Sequence, residues 1–137
     1  MTMHDTHNDV KRSVGVKIAA PTDNTAQVGE IIDMLGFNSL EYSILIGTLA
    51  DADATFIVLI EHDDVIGFGT AVAVPDEQLL GTEAEAGFQF DDDDSVTKIG
   101  YQGNKQFVRM TITPVDNTSA ATFGAVAEQG HARNAPV

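Results

Sequence analysis

Residues 40–63, LEYSILIGTLADADATFIVLIEHD, decide the fold. Leu40, Tyr42, Ile44 and Ile46 fall on one side of an extended chain, with Glu41, Ser43 and Gly47 on the other. That is the two-residue period of a strand with one buried face. In the second half, Phe56, Val58 and Ile60 share one face while Ile57 and Leu59 line the other. A strand apolar on both faces is central in its sheet or covered by a neighbour. The acidic link LADADA between the two runs predicts a hairpin.

The same period continues outward. VGVKIA (14–19) reads as a short strand and PTDN (21–24) as a turn. In TAQVGEIIDMLGFNS (25–39), Val28, Ile31, Ile32 and Leu35 fit a helical face that Gly36 would end. Val28, Glu30, Ile32 and Met34 also alternate as a strand would, and the strands that follow favour this second reading. PDEQLL (75–80) suggests a helical turn, VTKIGYQ (96–102) a strand and GNK (103–105) a tight turn. In QFVRMTITP (106–114), Val108, Met110 and Ile112 face one way and Phe107, Arg109, Thr111 and Thr113 the other. Pro114 is expected to end that strand, because proline donates nothing to a ladder. ATFGAVAEQ (121–129) supplies a last strand. About eight short strands with regular turn signals and no long helix predict an all-β fold, a single small β-sandwich or jelly-roll-like barrel. The expected domain runs from 14 to 129, between an N-terminal arm (1–13) and a C-terminal tail (130–137) that are extended and polar.

Composition narrows the function. Twenty-one acids face seven bases, a formal net charge of −14. A field of that sign repels phosphate, so no nucleic-acid partner is expected, and it favours solubility, basic partners or a surface that must stay apart from its neighbours. There is no cysteine, which removes disulfides, thiol chemistry and Cys-ligated metal. No apolar run approaches the ~18 residues of a membrane span, so no membrane partner is expected. The start MTMHDTHNDVKRS lacks the apolar centre of a signal peptide, which points to synthesis in the cytoplasm and either use there or release by another route such as lysis.

The loudest polar signal is FDDDDS (90–95). Calcium takes six to eight converging oxygens, whereas consecutive side chains of an extended loop point alternately. The run therefore reads as a solvated hairpin loop that discourages edge pairing. Asp51, Asp53, Asp63 and Asp64 could instead supply a calcium loop of the kind found at sandwich edges. His4, His7, His62 and His131 have no third ligand near them in sequence. No nucleophile elbow or zinc-protease motif occurs, and no carboxylate pair is singled out by an apolar pocket. With no Trp and two Tyr, the chain also lacks the aromatic platforms of a small glycosidase. These features predict neither an enzyme nor a cofactor. Arg109 fits a cross-strand pair with an acidic neighbour, or a contact with a partner chain.

The segments EYSILIGTLADADATFIVLIEHDD (41–64), VPDEQLLGT (74–82), KIGYQGNKQFVRMTITP (98–114) and GHARNAPV (130–137) resemble a family of small tailed-bacteriophage proteins. These are encoded beside the major capsid protein. The resemblance spans about residues 14–137 and departs from the family at HDDVIGFGT (62–70), where a more polar, acidic loop belongs. It lies in whole strands and turns and in no catalytic motif. It implies a structural virion protein, above all a capsid decoration (cement) protein. The expected partners are the major capsid protein shell and other copies of the chain, on the outer surface of the head. A spike or fibre base, a head–tail connector and a tail tube subunit are alternatives within the virion, and a small calcium-dependent binding module is one outside it. The candidate interface residues are Val10, Lys11, Arg12, Val65, Ile66, Phe68, Arg109, His131, Arg133 and Val137.

Overall fold

The structure, a computed structural model, describes residues 5–134. Two antiparallel sheets pack face to face. The first has the order β1 (Lys11–Ala19), β11 (Ala121–Ala132), β4 (Phe37–Leu49), β9 (Val96–Tyr101) and β7 (Leu79–Leu80). In the second, β2 (Gln27–Val28) joins β10 (Phe107–Val115), β5 (Thr55–Asp63) and β6 (Val72–Ala73). Two short strands complete it: β3 (Ile32–Asp33) also pairs with β10, and β8 (Phe88–Gln89) with β5. Short helices α1 (Thr6–Asp9) and α2 (Glu83–Ala86) and a 3-10 turn (Asp76–Gln78) sit on the flanks.

Merging β2 with β3, and β6 with β8, leaves eight principal strands plus the edge piece β7. Numbered along the chain, these run 1-8-3-6 in one sheet and 2-7-4-5 in the other. That order is a jelly roll, two Greek keys rolled into a sandwich. The expected hairpin at residues 40–63 is therefore corrected. β4 belongs to one sheet and β5 to the other, and the acidic link crosses between them. The Asp51 carboxylate fixes this crossing, accepting from Asp53 N at 3.0 Å and from Thr118 N and Oγ1, each at 2.8 Å. FDDDDS likewise joins β8 of one sheet to β9 of the other and is no hairpin loop.

Pro114 also departs from expectation, since β10 continues through it to Val115. β2 pairs only with Thr111 and Ile112, so beside Pro114 one flank of β10 carries no strand and the missing N–H breaks no ladder there. At the ends, Lys11–Ser13 and Gly130–Ala132 lie inside β1 and β11, within the stretches read as arm and tail. Arg12 stands opposite Glu128, and Ala132 opposite Phe37.

The alternation seen in sequence builds the core. Leu40, Tyr42, Ile44 and Ile46 meet Phe56, Val58 and Ile60 across the sandwich, joined by Ile99, Met110, Ile112, Phe123 and Ala125. Phe56 stacks on Phe88 at 4.6 Å, and Phe123 meets both edge-on at 5.5 Å. Such aromatic geometry adds to the burial of apolar area. Tyr42 is fully buried, and desolvation pushes its hydroxyl well above the ordinary tyrosine range.

Candidate interaction surfaces

The outer face of the five-stranded sheet carries the side chains that alternate with the core. Registered rows set Arg12, Glu128 and Glu41 side by side, then Val14, Val126, Ser43 and Lys98, then Gly124, Leu45 and Val96. Leu80 adjoins Gly100 on the same face, and Ile18 leans over Gly124. Six aliphatic residues, Val14, Ile18, Leu45, Leu80, Val96 and Val126, are thus 41–80% exposed on one surface. Between Val14, Ile18, Leu45 and Val126 lies a groove of about 420 Å³.

One end of the sandwich is acidic. The loops 20–26, 50–54, 90–95 and 116–120 meet there with Asp23, Asp51, Asp53, Asp91 to Asp94 and Asp116, and no Lys or Arg. Hydrogen bonds from Asp53 and Thr118 hold the Asp51 carboxyl well below the usual range, while Asp51 raises that of Asp53. Within FDDDDS, Asp92 Oδ2 accepts from Gln89 N at 2.8 Å, and Asp94 N donates to Gly47 O at 3.1 Å. Asp91 and Asp93 are exposed. Changing both of those to serine is expected to leave stability within ~0.5 kcal/mol, whereas Asp92→Ala loses about 1 kcal/mol in a urea titration. Equal midpoints for the two variants would contradict that division.

The four aspartates considered for a calcium loop do not come together. Asp51 and Asp53 precede β5, and Asp63 and Asp64 lie at its far end, about 30 Å away over nine residues. Among the described residues, no three His, Cys, Asp or Glu side chains are placed to hold a metal ion. Asp63 is engaged in structure, accepting from Val65 N, Thr70 N and Thr70 Oγ1 and so closing the turn at 64–70.

The sequence-derived interface residues fall into separate groups. Phe68 is buried beneath the Arg109 guanidinium, 4.5 Å from ring centre to cation, and Arg109 pairs with Glu61 across the sheet at 3.2 Å. Both side chains are engaged within the chain, while Val65 and Ile66 of the same turn are 54% and 69% exposed. Val10 follows α1, and Lys11 and Arg12 are exposed on β1. Exposed His131 lies 3.0 Å from Ser39 Oγ, and Arg133 N donates to Gly36 O. Val137 and His4 lie outside the described residues.

His62 is 3% exposed, its Nδ1 2.9 Å from Tyr101 Oη, which also accepts from Lys105 N. Burial, reinforced by Lys105, pushes its pKa below the ordinary 6.5 against the opposing pull of Asp64 and Asp63. As pH falls through 6.5, the unfolded chain takes this proton first, so the stability present above 6.5 declines below it. Asp51 and Asp63, both depressed, add a second loss below their ordinary 3.8. Thermal melts should show both limbs, and His62→Gln should remove the upper one. A melting temperature flat from pH 7 to 5 would show that His62 does not drive the upper limb.

No protein-family model and no curated protein matches the sequence. Among solved structures, the chain is similar over 97% of its length to "PBSX exported protein XepA", at 12% identity and a TM-score of 0.58, which supports the fold. It spans 40% of that chain. The xylanase 10B CBM22-1–GH10 modules of Clostridium thermocellum match over 93% of this chain and 27% of theirs, at 13% identity and a TM-score of 0.39. A family 16 carbohydrate-binding module matches over 83% and 70%, at 14% and 0.28. These two likenesses are too distant to carry an argument. No helix among the described residues is long and apolar enough to cross a membrane.

Proposed function

We propose that the chain is a structural virion protein of a tailed bacteriophage. More narrowly, it is a capsid decoration protein that binds the outer face of the major capsid protein shell. The observation that carries this reading is a jelly roll with exposed aliphatic residues on the outer faces of both sheets, Val14, Leu45 and Val126 on one and Val28, Ile57 and Leu59 on the other, so that one face can meet the shell while the other meets a second copy. The segments that resemble the phage family support it. They form β4 and β5, the 3-10 turn with β7, most of β9 and β10, and the end of β11. The resemblance thus takes in the central strands of both sheets, β4, β5 and β10, together with the edge piece β7. The fold likeness to an exported protein, XepA, is compatible with a particle or extracellular setting. The acid-only end suits an outward position, since a lining would face packaged phosphate.

Quantitative mass spectrometry of purified particles tests the proposal. A ratio to the major capsid protein near one, or a simple fraction of it, is the expected result for a lattice decoration. A handful of copies per particle would move the chain to a spike, connector or tail position. Its absence from particles would overturn the virion reading.

A further inference from the structure

We propose that the outer face of the five-stranded sheet is a self-association surface whose occupant is a second copy of this chain. The inference deepens the virion reading, and it rests on that reading only for where the assembly is used. Single exposed aliphatic side chains are ordinary on protein surfaces, but contiguous apolar patches mark contacts. Here all five strands contribute: Val14 and Ile18 from β1, Val126 from β11, Leu45 from β4, Val96 from β9 and Leu80 from β7. Four strands ~4.8 Å apart share this face over about six residues, an outline of roughly 15 by 20 Å, and the two-residue β7 adds Leu80 at its edge.

Charge selects the occupant. On and beside this face stand Arg12, Lys17 and Lys98 with Glu30, Glu41, Glu85 and Glu128, three bases to four acids. Lys17 pairs with Glu30 at 3.3 Å, Arg12 lies opposite Glu128, and the Lys98 charge acts on Glu41. The remaining four bases stand among seventeen acids. Two such polyanions repel each other along most approaches. They can meet through this nearly balanced face, where the bases of one copy lie against the acids of the other in a symmetric contact. A cationic partner would be drawn instead to the acid-only end. The free edge of β1 is a poor joint. Its ladder to β11 shifts register twice, between Val14 and Val16 and between Val16 and Ala19, and Gly15 O already accepts from Glu30 N.

Sedimentation velocity on the full chain, over a concentration series at ~0.15 M and ~1 M salt, tests this. The wild type should associate, and more tightly in high salt as like-charge repulsion is screened. Leu45→Asp with Val126→Asp should weaken association on the order of 100-fold, because each carboxylate would be buried unpaired. Both sites are exposed, so the variant should melt like the wild type. Val96→Lys is a second, independent variant with the same expected direction. Ile57→Asp, on the other sheet, should leave association unchanged. A wild type that stays monomeric at the highest concentration in both salts overturns the proposal. So does association that survives the changes at Leu45, Val126 and Val96 but is lost in Ile57→Asp. No shell is present in this experiment. A monomeric wild type therefore leaves the particle copy number to decide the virion reading, and a chain missing from particles leaves the sedimentation result standing.

Discussion

Phe123→Ala is expected to destabilise the protein by about 4 kcal/mol and to lower its urea midpoint by roughly 2 M. Phe123 is 1% exposed on β11, the strand between β1 and β4, and it faces the Phe56–Phe88 stack of the opposite sheet. Truncation removes two edge-on aromatic contacts and leaves a cavity between sheets that the backbone ladders hold apart. A domain of this kind is stable by ~5–15 kcal/mol, so the variant keeps its fold with a much smaller margin. Phe123→Leu fills part of the space and should lose less than half as much. Equal midpoints for the two substitutions would mean that the sheets close over the gap and that the aromatic cluster does not set their spacing.

The aromatic cluster also shows what could be read from the sequence. Phe56 and Phe123 stand in alternating runs, so their burial follows from a two-residue period. The same period identified Leu40, Tyr42, Ile44 and Ile46 as core, and all four are buried. It could not show which sheet each strand joins. LADADA can close a hairpin or cross a sandwich, and the choice is made by Thr118, 67 residues away, donating to Asp51. Strands of two residues such as β2 and β3 are too short to show any period, which is why residues 25–39 could be read as helix or strand. The aliphatic face was visible only in pieces. Leu45 breaks the polar side of the SILIG run, and Val126 sits in the polar register of AVAEQ. Only the pairing of β1, β11, β4, β9 and β7 brings Ile18, Leu45, Val96 and Leu80 onto one surface. Phe68 and Arg109 were singled out separately, and the turn at 64–70 stacks them within the chain.

Gly29→Ala is expected to be as damaging as a large core truncation, although it adds one methyl group. Gly29 N donates to Met110 O of β10 and Glu30 N donates to Gly15 O of β1, both at 2.8 Å, so this segment ties one sheet to the edge of the other. A Cβ at Gly29 would overlap both Gly15 O and Met110 O. Both obstacles are backbone, so neither can swing aside as a side chain would. Relief requires β1 or β10 to move, which breaks at least one of the two hydrogen bonds and parts the sheets at that edge. Overpacking commonly costs ~1–3 kcal/mol, and a clash with two fixed carbonyls belongs at or above the upper end of that range. Gly67→Ala is the control. Nothing lies within 4 Å of its added Cβ, and its backbone is not left-handed. It should leave stability unchanged or raise it by up to about 1 kcal/mol by restricting the unfolded chain. If Gly29→Ala melted with the Gly67→Ala variant, the segment between β2 and β3 would not be the tie that closes this side of the jelly roll.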